Sequence, residues 1–140
     1  MTDHSGKIMP HPTPETRPYW DACRKGELVV QRCKDCGAHQ FYPRMMCTSC
    51  DSNSVEWIRA SGRGRVSSYT VVRRPVSKAY AAETPYIVAL IQLEEGPTMM
   101  SNIVGCDPGA MEVGMSVEVL FEQWTDEVTV PKFRVTQPAQ

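Results

Sequence analysis

From Gly62 to Pro75 the chain alternates, with Val66, Ser68, Thr70 and Val72 on one side of an extended segment and Arg65, Ser67, Tyr69 and Val71 on the other. That period of two predicts a long strand. Glycines at its start suit a strand that bends strongly as it enters a small barrel. Tyr86–Leu93 is a short, largely apolar run that predicts a buried strand, Glu95–Pro97 a turn, and Thr98–Val104 a third strand. Ser116–Phe121 and Val128–Val135 predict two more. Between the third and fourth strands, Asp107 can cap a single helical turn that takes Pro108 at its first position. Five strands with a short helical turn at that place follow the OB-fold plan.

Upstream of Ser61 the pattern is different. Residues 1–14 are polar, with Pro10, Pro12 and Pro14 alternating, and read as a flexible arm. Thr16 can cap a short helix that takes Pro18 in its first turn, carries Tyr19, Trp20 and Cys23, and stops near Gly26. Leu28–Arg32, Gln40–Pro43 and Val55–Arg59 predict short extended segments. The expected organisation is an arm at 1–14, helix and ribbon at 15–58, a five-stranded OB barrel at 59–136 and a tail at 137–140. The fold class is mainly β.

The most specific chemistry lies in four cysteines, Cys33, Cys36, Cys47 and Cys50, spaced C-x2-C-x10-C-x2-C. Each pair can curl into a knuckle that presents two thiolates, and two knuckles close a tetrahedral S4 cage suited to Zn2+. Gly37 follows the first knuckle, where a positive φ is needed; Asp51, in the matching place, tolerates that region better than most residues. One structural zinc is the expected cofactor. The same ligands could hold a rubredoxin-like iron, and a pair of disulfides is a third reading. A cage filled by four protein ligands leaves no open position for catalytic water. About 45 residues of helix and ribbon bury too little apolar surface to fold unaided, so metal must supply much of their order.

The 140 residues are 41% hydrophobic and 22% charged, with net charge −1. That balance hides a polarised chain: Arg59–Ala82 contains six basic and no acidic residues, and Glu83–Pro131 nine acidic and no Lys or Arg. A nucleic-acid groove across the barrel would meet repulsion along much of its length. The longest aliphatic run, Ile87–Ile91, is far short of a membrane span. No apolar signal segment opens the sequence, so the reading is a soluble protein of the reducing cytoplasm. His4 and His11 sit in the arm and His39 follows a knuckle; no nucleophile elbow, phosphate loop or paired carboxylates stand out, so no catalytic residue is assigned.

Several stretches resemble one family: Pro18–Leu28, the ribbon, Ser61–Val72, Pro85–Gly96 and Gly114–Val119 are similar to the zinc-ribbon OB-fold proteins once called domain of unknown function 35. The resemblance covers about residues 15–136. It implies a short helix, a rubredoxin-like zinc ribbon and an OB barrel. It also implies an accessory subunit beside thiolase-like, hydratase or aldolase enzymes of acyl-CoA metabolism, bridging enzymes or helping to hold an acyl-CoA. Two site expectations follow. Arg73, Arg74 and Lys78, at the end of the first barrel strand, can surround one phosphate of coenzyme A, which arginine recognises through its planar fork. Tyr19 and Trp20 exceed what so short a helix can bury alone and are expected to dock on the partner. The alternatives are a single-stranded nucleic-acid-binding barrel and a rubredoxin-like electron carrier.

Overall fold

The computed structural model describes residues 4–137, so the first three residues of the arm and residues 138–140 of the tail lie outside the described residues. A helix, α1 (Arg17–Arg24), leads into a three-stranded antiparallel sheet of β1 (Val29–Cys33), β2 (His39–Gln40) and β3 (Val55–Arg59), ordered β2-β1-β3. A closed barrel follows, built from β4 (Arg63–Val72), β5 (Tyr86–Leu93), β6 (Thr98–Val104), β7 (Ser116–Gln123) and β8 (Thr129–Gln137) in the order β4-β5-β6-β8-β7. Pairing of Arg63 with Glu118 and of Arg65 with Ser116 closes the ring, and β6 and β8 run parallel. The predicted bounds of β3, β5 and β6 coincide with the observed ones. Among the described residues no helix is long and apolar enough to cross a membrane.

Local chemistry explains most of these elements. Pro18 sits in the first turn of α1, and Gly26 ends the helix at φ 76°. Gly26 N–H donates to the Cys23 carbonyl and Glu27 N–H to the Ala22 carbonyl, the paired bonds of a Schellman cap. Thr16 precedes the helix as expected, but its hydroxyl caps nothing. The hydroxyl turns back and accepts a hydrogen bond from Thr13 N–H at 2.9 Å, because the preceding turn competes for it. Asp107 performs its predicted role, accepting from Gly109 N–H at 3.1 Å.

The long first barrel strand departs from simple alternation. A bulge between Val66 and Ser68 inserts one extra residue, after which Tyr69 lies opposite Ala89 and Val71 opposite Ile87. Those partners are buried, so Tyr69 and Val71 join Val66 on the inward face, and the expected set of Val66, Ser68, Thr70 and Val72 is broken in the middle. The glycines are required by close approach: a Cβ on Gly64 would lie 2.5 Å from the Gln92 carbonyl oxygen, and one on Gly62 2.6 Å from Val119.

Phe133, Ile87, Ile91, Leu93, Met99 and Val117 fill the barrel. Tyr19, Cys23, Leu28 and Val30 belong to the same contiguous core, so the helix and ribbon pack onto the barrel. A 3-10 helix, Lys78–Glu83, lies in the β4–β5 connection. The near end of the arm rests on the barrel, where the Lys7 side chain is fully buried and its Nζ lies 2.7 Å from Glu83 Oε2.

Candidate functional site

The two knuckles are near copies. Gly37 N–H donates to the Cys33 carbonyl at 2.9 Å and Asp51 N–H to the Cys47 carbonyl at 3.0 Å, with φ 77° at Gly37 and 62° at Asp51. Asp51 thus adopts the left-handed conformation its position demands. The four Sγ atoms lie within 4.8 Å of one another, with Cys33–Cys50 and Cys36–Cys47 both at 3.6 Å. A tetrahedron with metal–sulfur bonds of ~2.3 Å has edges of ~3.8 Å, so the cage has the size of a metal site. Disulfides, with sulfurs ~2.05 Å apart, do not fit these spacings.

The electrostatics of the four sulfurs point the same way. The Cys36 backbone N–H, 3.4 Å from Cys33 Sγ, does most to bring the Cys33 thiol down to about 6. Backbone N–H groups of Cys50 and Ser49 lower Cys47. At Cys50 the Ser52 N–H favours the thiolate, but the sulfurs of Cys36 and Cys33 outweigh it and push the thiol up to about 12. Four thiolates cannot share this volume without a cation, and a coordinated cation removes the conflict. Gln31, 4% exposed, links the knuckles: its side-chain oxygen accepts from Gln40 Nε2 and Arg44 N–H, and its amide donates to the Arg44 carbonyl. Elsewhere, burial pushes the Cys23 thiol up to about 11, consistent with a packing role.

The second feature is a trough on the outside of the barrel. One hollow of about 580 Å3 lies over β5 and β6, walled by Tyr80 and Glu83 of the 3-10 helix, Lys7 of the arm, and Trp124. A second of about 390 Å3 runs between ribbon and barrel, past Trp20, Phe41, Tyr42 and Pro131. Met100, Ser101, Asn102, Trp124 and Lys132 line both, so the two hollows adjoin across these residues.

Where they meet, charges neutralise one another. Lys7 contacts Glu83; Lys132 Nζ lies 3.1 Å from Glu122 Oε1 and 3.7 Å from Glu83 Oε1. Lys7 Nζ also sits 4.8 Å from the Trp124 ring centroid and 2.9 Å from His4 Nδ1, and His4 stacks on Trp124 at 5.4 Å. Burial opposes the charge on Glu122, yet the Trp124 indole N–H and the Lys132 ammonium prevail and hold its carboxyl below the usual range.

Of the expected site residues, Tyr19 and Trp20 line the second hollow, and Arg73, Arg74 and Lys78 line neither. Tyr19 is buried, in edge contact with Phe41 and Trp20, whereas Trp20 is half-buried at the trough wall beside Tyr42, which is 54% exposed. Arg73, Arg74 and Lys78 are exposed and make no ion pair among the described residues. Arg63, from the same basic stretch, is committed to Glu94 at 2.9 Å. Sequence reasoning missed His4, Lys7, Glu83, Glu122, Trp124 and Lys132. They come from four separate segments, and only Trp124, a large aromatic in a polar loop, carried a signal that could have drawn attention.

A domain family described as the rubredoxin-like zinc ribbon domain of ChsH2 matches residues 20–56, and one described as the C-terminal OB-fold domain of ChsH2 matches residues 57–122. A DUF35 domain-containing scaffold protein of Methanothermobacter thermautotrophicus is 37% identical over 101 residues, 71% of this chain and 75% of that protein. A probable enoyl-CoA hydratase alpha subunit of Thermomonospora curvata is 35% identical over 122 residues, 87% of this chain but 38% of that protein, so the chain spans little over a third of that relative's length. A solved structure described as an Ltp2-ChsH2(DUF35) aldolase superposes with a TM-score of 0.82 at 34% identity, covering 90% of this chain and 98% of the matched one. Helix, four-cysteine ribbon and barrel thus agree in sequence and in three dimensions, and the chain belongs to the DUF35 family, in its ChsH2-like form of a zinc ribbon followed by an OB-fold.

Proposed function

We propose that the protein is a non-catalytic accessory subunit that seats on a thiolase-like, hydratase or aldolase enzyme and helps to hold the coenzyme A end of its substrate. The observation that carries this reading is the likeness, over nearly the whole of both chains, to a chain of the structure described as an Ltp2-ChsH2(DUF35) aldolase. Relatives named as a scaffold protein and as a hydratase subunit support it. The cage of Cys33, Cys36, Cys47 and Cys50 holds one structural zinc, which fixes the ribbon and performs no chemistry on substrate. Trp20, backed by the buried Tyr19 and flanked by Tyr42, is the docking edge for the enzyme. Arg73, Arg74 and Lys78, free of acidic partners, take a phosphate of coenzyme A. Four reduced thiols in a metal cage suit the cytoplasm.

Purification of the native complex under mild conditions tests this reading. An acyl-CoA-processing enzyme in stoichiometric amount, lost on Trp20→Ala, is the expected result. A chain that purifies alone, or with nucleic acid, would overturn it.

A further inference from the structure

We infer that Tyr80, Glu83 and Trp124 form a binding site for a primary alkylammonium group on the outside of the barrel, and that the chain's own Lys7 occupies it and straps the arm down. Among residues 4–14 of the arm, Lys7 is the only buried one. Its side chain is fully covered, whereas the residue after it, Ile8, is 83% exposed. An arm held by the hydrophobic effect would do the reverse, because burying isoleucine is favourable and burying an ammonium is costly unless its charge is met. What anchors this arm is recognition of a charge.

Three segments build the site. Tyr80 and Glu83 stand three residues apart in the 3-10 helix Lys78–Glu83, where side chains at that spacing eclipse one another and share a face. The connection between β7 and β8 supplies Trp124. On the arm, a tight turn at Ser5-Gly6 is closed by Lys7 N–H donating to the His4 carbonyl at 3.3 Å, with Gly6 at φ 81°. The Lys7 ammonium then lies 2.7 Å from Glu83 Oε2, 4.8 Å from the Trp124 ring centroid and 5.5 Å from that of Tyr80. Two ring faces within ~6 Å and a carboxylate are the parts of an aromatic cage for a cation. His4 Nδ1, 2.9 Å away, accepts from the ammonium, which can only donate. Glu83 Oε2 is itself buried and has no hydrogen bond of good geometry among the described residues, so it is the ammonium in contact with it that meets its charge.

The charge balance fixes which ligand the site prefers. With Lys7 in place, two lysines face Glu83 and Glu122, and the sum is zero. Without it, Lys132 alone faces both carboxylates, and the cage carries a net negative charge. It then takes a cation in preference to a neutral molecule of the same shape. Lys7 is tethered to the site, which gives it an effective concentration on the order of millimolar, and a free ammonium must exceed that to release the arm.

Lys7→Ala deletes the equivalent of n-propylammonium beyond Cβ, so that amine is the probe and propan-1-ol its neutral counterpart. Each is titrated into the full chain, following the nuclear magnetic resonance signal of the Trp124 indole N–H, which donates to Glu122 Oε1 at 2.8 Å beside the cage. Propylammonium should move the signal of Lys7→Ala at a concentration about tenfold below that required of propan-1-ol, as expected for a cation held by two rings and a carboxylate. Wild type should need about tenfold more amine than Lys7→Ala, because the tethered lysine competes. Adding Glu83→Gln to Lys7→Ala should weaken the amine and leave the alcohol unchanged. A second measurement needs no change at Lys7: an endoproteinase that cuts after lysine should cleave the Lys7–Ile8 bond about tenfold more slowly in wild type than in Glu83→Gln, since release of the arm must precede cleavage. That comparison decides the question if Lys7→Ala does not fold. Equal responses to amine and alcohol, an amine response that survives Glu83→Gln, or equal cleavage of folded wild type and Glu83→Gln would overturn the proposal.

Discussion

The ribbon and the barrel are held together by different physics. Around the knuckles the buried groups are thiols and the side-chain amide of Gln31, organised by hydrogen bonds around four cysteines placed to bind a metal. Inside the barrel they are Phe133, Ile87, Ile91, Leu93 and Met99, packed in a ring that leaves no open strand edge. A metal bound there would order so small a polar scaffold through one strong interaction, whereas the barrel gains its order from many weak ones. Each region should therefore have its own mode of failure, and the shared core through Tyr19, Leu28 and Val30 sets how far one failure spreads.

The largest effect should come from the cage. Elemental analysis should give about one zinc per chain in a colourless protein, and Cys36→Ser should abolish binding, because metal in small zinc peptides contributes roughly 10–16 kcal/mol to folding. Limited proteolysis should then cut within residues 15–58 while the barrel stays resistant. A red, iron-loaded protein would reassign the metal, and an intact ribbon in Cys36→Ser would remove the contrast. Next comes the barrel core: Phe133 is fully buried, and Phe133→Ala should cost about 3–5 kcal/mol in denaturant melts. Gly64→Ala should cost about 1–3 kcal/mol, since the new methyl meets the Gln92 carbonyl and β5 must shift. Neither barrel change should lower the affinity for zinc in a still-folded population; a fall of tenfold or more would show that cage and core are one unit.

The smallest effect concerns pH. Glu122 has its carboxyl depressed in the folded state, so its contribution is present above the unfolded carboxylate range of ~4.3 and is lost as pH falls through the lower folded value. Urea melts at pH 7 and pH 3.5 should show a smaller acid loss in Glu122→Gln than in wild type. An equal loss in both proteins would detach Glu122 from the acid response.

The same contrast governs what was legible in the sequence. The cage could be read directly, because ligand spacing and the glycine after the first knuckle are local properties of the chain, and Asp51 at φ 62° completes the pattern. Strands β5 and β6 were legible for a similar reason: the apolar run Tyr86–Leu93 and the segment Thr98–Val104 are set apart by the local turn at Glu95–Pro97. The face of β4 was not, since a bulge at Ser67 depends on how the barrel closes, which no alternation within β4 records. Thr16 offered a cap, but a second threonine three residues earlier competed for its hydroxyl. The trough was hidden more deeply. Lys7, Glu83, Trp124 and Lys132 are distant in sequence and converge only because the strand order places β8 beside β6 and β7, and because the arm lays Lys7 against Glu83 and Trp124.

Whether this chain works only as part of an acyl-CoA enzyme is decided by reconstitution. The enzyme recovered from the native complex should be assayed for acyl-CoA turnover alone, with the chain added, and the chain should be assayed by itself. The chain alone should show no turnover, the enzyme should be at least tenfold more active when the chain is present, and Trp20→Ala should remove that gain. Turnover by the isolated chain, or an enzyme equally active without it, would rule out an accessory role.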